Sequence, residues 1–391
     1  MRLLHTSDWH LGRSFHGTGM LETQREFIAA LIDTIRTEQI DVLLISGDVY
    51  DRALPASDAV EVFDDALARI REAGAIVVIT SGNHDSATRL GFGGRLMDAA
   101  GVHVRTRADT VQDPVSVVID GVTTLIYGIP YLEPRLISTS WQTPSHHTGV
   151  LTEAMTRIRA DLEQQQSARG PLTSIVMAHV FAAGASGSDS ERAIGAEQMQ
   201  GGLGQVAASV FDGVDYVALG HLHGRQSITE TVRYSGSPLR YSFSEARQAK
   251  GGWILTIGTE GIESIDPVQW PVGRALKVLE SDIEDLLHNL AYADAEDAWC
   301  QITVTDAERP PQAYTRLKQR FPGLLNFILA PRGPRPTVAS YAQKLDDAVS
   351  DVQMCTDFVE HVRTRPASEA ETALLTEALE HGRIQEAEAR R

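Results

Sequence analysis

The stretch DVLLISGDVYD, residues 41–51, holds an unbroken apolar run from Val42 to Ile45 that stops at Ser46 and Gly47 and delivers two carboxylates, Asp48 and Asp51. A short run of Val, Leu and Ile bounded by glycine reads as a strand buried on both faces. Four other runs end in the same way. LLHTSDWH (3–10) leads to Asp8 and His10, IVVITSGNHD (76–85) to Asn83, His84 and Asp85, IVMAH (175–179) to His179, and YVALGHLH (216–223) to His221 and His223. Ligands of open α/β sheets gather at the carboxyl ends of strands, so these five ends are expected to converge on one crevice.

The spacing says what the crevice does. Asp8 and His10 stand two residues apart on an extended segment, so both side chains project to one face and can grip one ion; His221 and His223 repeat the arrangement. Gly47, Gly82 and Gly220 precede ligand residues and let the backbone come close where a strand breaks into a loop. Asp48 is the natural bridging carboxylate, because the other strand ends supply mostly neutral donors. The set suffices for two ions, and its mixed nitrogen and oxygen donors favour manganese, iron or zinc over calcium or magnesium. Taken singly, a DxH is usually a turn and His179 reads as a core histidine; five such motifs in order read as a site. Asp85 reads as a loop-ordering residue. His5, His16 and His103 read as structural or exposed, and the pair His146 and His147 as part of a solvated loop.

In this order DWH, GDVYD, GNHD, a lone strand-end His and GHLH resemble the motif series of the calcineurin-like metallophosphoesterase superfamily. The resemblance implies a first metal held by Asp8, His10, Asp48 and His223 and a second held by Asp48, Asn83, His179 and His221. It casts His84 as the residue that contacts the phosphate and protonates the leaving oxygen, with Asp51 orienting it; in some relatives a His stands in place of that Asp. Longer segments, MRLLHTSDWHLG (1–12), GDVYDRALPASDAV (47–60), TSGNHDSATRL (80–90), LGHLHGRQ (219–226) and YSGSPLRYSFSEA (234–246), resemble the SbcD family of bacterial nuclease subunits, related to the archaeal and eukaryotic break-repair nuclease. That likeness implies a nuclease dependent on two Mn(2+) ions, a 3′ to 5′ exonuclease on double-stranded DNA and an endonuclease on single strands or hairpins. It also implies an SbcC-type coiled-coil ATPase as partner and a homodimer within a heterotetramer. The chain carries no GxxxxGK[ST] phosphate loop, so ATP hydrolysis would belong to the partner.

At 391 residues the chain exceeds one ordinary core. The resemblance implies a nuclease domain (1–272), a small α+β capping domain (273–335) and C-terminal helices (336–391) as the partner's docking segment. Helical patterns at 21–38, 56–73, 86–100 and 151–166 alternate with the strands, and further strands are expected at 114–120, 122–128, 231–235 and 252–258. The fold class is α/β, which the resemblance refines to two facing mixed sheets flanked by helices. Residues 275–332 read strand, helix, strand, helix, strand. Capping boxes at Ser340 with Gln343 and Ser368 with Glu371 start two helices. Apolar stripes follow, Leu345, Val349, Val352, Val359 and Val362 on the first and Ala370, Leu374, Ala378 and Leu379 on the second, to be covered by the chain itself or by a partner.

Composition pulls the other way on substrate. Thirty-five basic against fifty-two acidic residues leave a net charge of −17, whereas lone nucleic-acid binders are usually basic. Two divalent ions, a partner's phosphate contacts, and Arg13, Arg52, Arg89, Arg95, Arg225, Arg233 and Arg240 near the motifs would offset this. Cys300 and Cys355 form no close-spaced pair, which suits a reducing compartment. With no long apolar run and a strand beginning at Met1, a cytoplasmic protein is expected, at the nucleoid when on DNA. A small-molecule phosphodiesterase or phosphatase would keep the same motif residues and is the main alternative. A protein phosphatase fits less well, because that group resembles GNHE where this chain has GNHD. A scaffold with a vestigial site sits poorly with an intact ligand set.

Overall fold

A computed structural model of the chain describes residues 1–191, 205–332, 350–363 and 365–389. It divides into two compact units, Met1–Lys277 and Val278–Arg391.

Two six-stranded sheets build the first unit. One contains β1 (Arg2–Thr6), β4 (Val42–Ser46), β5 (Ile76–Thr80), β6 (Val102–Arg105), β13 (Gly251–Gly258) and β14 (Gly261–Gln269), in the order β14-β13-β1-β4-β5-β6. The other contains β7 (Val115–Ile119), β8 (Val122–Gly128), β9 (Thr173–His179), β10 (Tyr216–Gly220), β11 (Gln226–Ser227) and β12 (Val232–Tyr234), in the order β11-β12-β10-β9-β8-β7. Parallel pairing runs through β1, β4, β5 and β6 in the first and through β8, β9, β10 and β12 in the second, with antiparallel strands at the edges. A small hairpin, β2 (Ser14–Phe15) with β3 (Thr18–Gly19), follows the first motif.

Period-2 alternation divides each central strand between two cores. Val42 and Leu44, Ile175 and Met177, and Tyr216 and Ala218 face inward and meet Leu255 and Val117 between the sheets. On the outer face of the second sheet Val176, Ala178, Val217 and Leu219 pack on Leu151, Ala154, Met155 and Ile158 of the helix His147–Arg169. The parallel strands are apolar throughout because both faces are covered. The architecture is therefore two facing mixed sheets flanked by helices, as the sequence resemblance implied.

Helices α1 (Leu21–Thr37) and α2 (Ser57–Glu72) bury the stripes Phe27, Leu31, Ile35 and Val62, Ala66, Ile70, spaced by about one turn. The single helix expected over 86–100 is instead two short ones, α3 (Ala87–Leu90) and α4 (Gly94–Ala99). Gly93 lies between them at φ 74°, a left-handed conformation that interrupts the helical ladder. Helix α5 (Pro134–Trp141), not anticipated, starts with proline at its first turn and Glu133 as N-cap. Helix α6 (His147–Arg169) corrects the reading of His146 and His147 as solvated loop. His146 caps that helix, its Nδ1 accepting the Gly149 N–H at 3.0 Å, and His147 is buried in the first turn.

β15 (Leu276–Ser281), whose first two residues precede the second unit, forms a three-stranded sheet with β16 (Trp299–Val304) and β17 (Leu324–Leu329), β16 and β17 being parallel. Helices α7 (Ile283–His288) and α8 (Ala313–Arg320) cover it through Ile283, Leu286, Leu317 and Phe321 against Cys300 and Ile302. The helices Asp351–Arg363 and Glu369–Ala389 follow. Ser368 and Glu371 make a reciprocal capping box, with Glu371 N–H to Ser368 Oγ at 3.3 Å and Ser368 N–H to Glu371 Oε2 at 2.8 Å. The Ser340 and Gln343 box, with Leu345 and Val349, lies outside the described residues. Among the described residues no helix is long and apolar enough to cross a membrane.

Candidate metal centre

All five strand ends meet. Asp8 and His10 follow β1, Asp48 and Asp51 follow β4, Asn83 and His84 follow β5, His179 ends β9, and His221 and His223 follow β10. Apart from Asn83 and Asp51, these side chains are buried. Four of them leave ordinary backbone space: Asp8, His10 and Asp48 have φ near 50° and His221 has φ 102°. Such strain persists only where the surroundings enforce it, and it clusters at functional sites. Asp8 N–H to Gly47 O and His10 N–H to Asp48 O, both 3.0 Å, lace the first loop to the second. Gly82 is required by close approach, since a Cβ there would fall on the Asp48 carboxylate.

Asp48 occupies the centre. Its Oδ2 lies 3.4 Å from His179 Nε2, 3.6 Å from His10 Nε2 and 3.9 Å from His84 Nε2, while its Oδ1 accepts the His84 N–H at 2.8 Å. Burial alone would raise this carboxyl, but His179, with His10 and His84, holds it well below the usual carboxylate range. Asp8, buried beside Asp48, is pushed up to about 7 although Ser7 Oγ and the His221 N–H donate to it. Burial works against a charged His179, yet Asp48 prevails and raises it to about 9. His221 falls to about 3 through burial and the charge of His179.

Proton bookkeeping tests whether a cation fits. His179 Nδ1 donates to Ser46 O at 2.9 Å, so a neutral ring would turn a lone pair toward Asn83 Oδ1 (3.0 Å) and Asp48 Oδ2. Asn83 Oδ1 also lies 3.1 Å from His221 Nδ1. His10 Nε2 and His223 Nε2 face one another at 3.0 Å, and His10 Nδ1 has no hydrogen-bond partner among the described residues. Moving the His10 proton to Nδ1 would aim it at Asp51 Oδ1, 3.8 Å away, and leave two lone pairs converging on one point. Donors arranged this way suit divalent cations, and three groups could each hold one: Asp8, His10 and His223; His10, Asp48 and His84; Asp8, Asp48 and His179.

Asp51 meets His84 through its main chain. The His84 Nδ1 donates at 2.8 Å to the main-chain carbonyl of Asp51, not to its carboxylate. That carboxylate lies instead 3.6 Å from Arg13 Nη1 and 3.8 Å from His10 Nδ1. Asp85 orders the loops, accepting from the N–H groups of Val49, Tyr50 and Gly82. His5 is a satisfied core histidine bonded to Tyr216 and Leu219. Of the candidate arginines, Arg13 reaches the centre, stacked over Tyr241, and the exposed Arg52 places Nε 3.6 Å from Asp51 Oδ2, whereas Arg225 and Arg233 both lie over Trp253.

Motif reading missed the buried pair behind the centre. Glu245 and Lys250 meet at 2.5 Å, and Lys250 Nζ also donates to His223 O at 2.7 Å. Burial opposes its charge, but His223 and Lys250 hold the Glu245 carboxyl far below its ordinary value. Replacing Lys250 with Met strands that carboxylate and is expected to cost about 3–5 kcal/mol, or roughly 6–20 °C in melting temperature, in metal-free protein at pH 7. A depressed acid stabilises above its unfolded value and loses that contribution as pH falls, so the gap should narrow in acid. Thermal melts at both pH values check this.

A family model for calcineurin-like phosphoesterases matches residues 1–225. The chain belongs to that family. A second model, SbcD_C, described as the type 5 capsule protein repressor C-terminal domain, matches residues 272–363. In this order the two matches support an SbcD-type nuclease subunit. Among solved structures, this phosphoesterase is similar to a dimetal phosphatase from Danio rerio (12% identity, 69% of this chain and 99% of that one, TM-score 0.41). It is also similar to TT1561 of Thermus thermophilus (12% identity, 68% and 98%, TM-score 0.38). A third similarity is to GAP50, the anchor in the inner membrane complex of Plasmodium (11% identity, 86% and 99%, TM-score 0.38).

Proposed function

We propose that this phosphoesterase is a manganese-dependent DNA nuclease, acting as a 3′ to 5′ exonuclease on duplex ends and an endonuclease on single strands or hairpins. The observation that carries the metal chemistry is the ring of buried donors around Asp48. Asp8, His10, Asp48 and His223 would hold one ion, and Asp48, Asn83, His179 and His221 the other. When bound there, divalent ions would neutralise phosphate charge and lower the pKa of a water for attack on phosphorus. His84 supplies the remaining function. Fixed by its bonds to Asp48 Oδ1 and Asp51 O, it turns Nε2 toward the centre, where it contacts the phosphate and gives a proton to the departing oxygen.

Because the His84 acceptor is main chain, Asp51→Asn is expected to leave the dependence of rate on leaving group as in the unaltered protein. A series of aryl phosphodiesters measures this, and a steepened dependence would show that the carboxylate itself serves His84.

The matched C-terminal region supports an SbcC-type coiled-coil ATPase as partner in an ATP-dependent DNA repair and recombination complex. Met354, Phe358, Val362 and Leu374 on the last two helices are exposed apolar residues suited to docking it. Deleting residues 350–391 is expected to abolish co-purification with the ATPase while DNA hydrolysis by the remaining chain persists. Phe92 and Leu96, exposed on and beside α4, suit the homodimer contact of a heterotetramer. The work would be cytoplasmic, at the nucleoid.

The deciding experiment is hydrolysis of a labelled oligonucleotide with manganese, beside a chromogenic phosphodiester and a circular single strand. Cleavage of the linear and circular DNA supports both activities. Turnover of the small ester alone, persisting after the partner is added, moves the reading to a small-molecule phosphodiesterase.

A further inference from the structure

Behind His223 lies a chain of buried polar groups that the motifs do not include. Ser190 Oγ is 2.6 Å from His223 Nδ1 and donates to Glu245 Oε1, which also lies 3.4 Å from the same ring nitrogen. The segment carrying Ser190 is pinned from several sides. Arg13 Nη2 donates to Ser190 O at 2.6 Å, Glu191 Oε1 accepts the His223 N–H at 2.7 Å, and Ser188 Oγ donates to Glu245 Oε1 at 3.1 Å. Glu245 Oε2 is engaged by Lys250 and by the Tyr241 N–H at 3.2 Å.

The direction of these bonds follows from what each group can do. Ionised Glu245 can only accept, so the Ser190 hydroxyl spends its one proton there. Its oxygen then faces His223 with a lone pair, and His223 must donate through Nδ1–H. That leaves Nε2 as a lone pair aimed at His10 Nε2, 3.0 Å away. A Ser-His-Glu nucleophile triad is excluded by the same geometry, because serine and carboxylate would have to engage opposite ring nitrogens. Here both lie at Nδ1.

We infer that Ser190 and Glu245 are positioning residues that fix His223 in its Nδ1–H tautomer and so present Nε2 to the first metal. The inference rests on the reading of His223 as a ligand. It gives the buried Glu245–Lys250 pair a role toward the metal: Lys250 holds the carboxylate, the carboxylate orients the hydroxyl, and the hydroxyl orients the ring. Partners of this kind typically carry 10- to 100-fold in metal affinity.

The test is calorimetric titration of the metal-free full chain with Mn(2+), comparing the unaltered protein with Ser190→Ala and Ser190→Thr. One of two binding steps is expected to weaken about 10- to 100-fold in Ser190→Ala and to recover in Ser190→Thr, which keeps the hydroxyl, with metal-free melting temperatures alike. Two unchanged steps in Ser190→Ala would overturn the inference while leaving the metal centre standing. An unaltered protein that takes up no manganese would overturn the centre and the inference together. Should Ser190→Ala not fold, long-range proton–nitrogen correlation of the unaltered metal-free protein decides: His223 protonated at Nδ1 supports the relay, and protonation at Nε2 overturns it.

Discussion

Asp48→Asn is expected to lower manganese-dependent DNA hydrolysis by about three orders of magnitude. The side chain sits within 3.4–3.9 Å of three histidine nitrogens and, among the described residues, is the anionic group placed among all of them. An amide keeps an oxygen for the His84 N–H but removes the charge on which the proposed shared-ligand role depends. Loss of a metal's charge stabilisation amounts to several kcal/mol, and each 1.36 kcal/mol is tenfold in rate, which sets the expected size. The substitution should also be visible without substrate. His179 is raised to about 9 mainly because Asp48 outweighs its burial, so the metal-free variant should hold a smaller proton load at neutral pH. Metal content after dialysis, measured by mass spectrometry, should fall below two ions per chain. A variant that retains two ions and loses less than tenfold in rate would remove Asp48 from the bridging position.

For His84→Gln the expected signature is selectivity between substrates. General acid catalysis contributes about 10²- to 10⁴-fold where the leaving group needs a proton, as a DNA alkoxide does. A nitrophenolate leaves without one, so the chromogenic ester should lose no more than roughly tenfold in the same variant. His84 Nδ1 is committed to the Asp51 carbonyl at 2.8 Å, so Nε2 is the atom left to act, and it lies 3.9 Å from Asp48 Oδ2. Metal content should stay at that of the unaltered protein. Equal losses on both substrates with a missing ion would instead make His84 a ligand, a role its grouping with His10 and Asp48 would permit.

Much of the candidate centre is legible in one dimension because its parts are local. A strand needs a short run of Val, Ile and Leu, and its carboxyl end is where the run stops, so Asp8, Asp48, Asn83, His179 and His221 announce their own placement. The same locality exposes the Ser368 and Glu371 capping box, whose bonding groups are three residues apart. Reading fails where one atom of a residue has to be chosen over another. The motifs bring Asp51 to His84, but the main-chain oxygen rather than the carboxylate makes the bond. His146 and His147 read as loop because nothing apolar precedes them, and an N-cap with a buried first turn leaves little periodic trace.

Residue type and short-range spacing are enough to specify the α/β class and the identity of the converging donors. What stands behind those donors is settled by three-dimensional packing. Ser190 and Glu245 lie 33 and 22 residues from His223 in the chain, and the Asp51 carboxylate turns toward His10, 41 positions earlier. Polar contacts across such separations obey no periodicity. They depend on loop paths that the packing of two sheets sets, and no local pattern of residues encodes those paths.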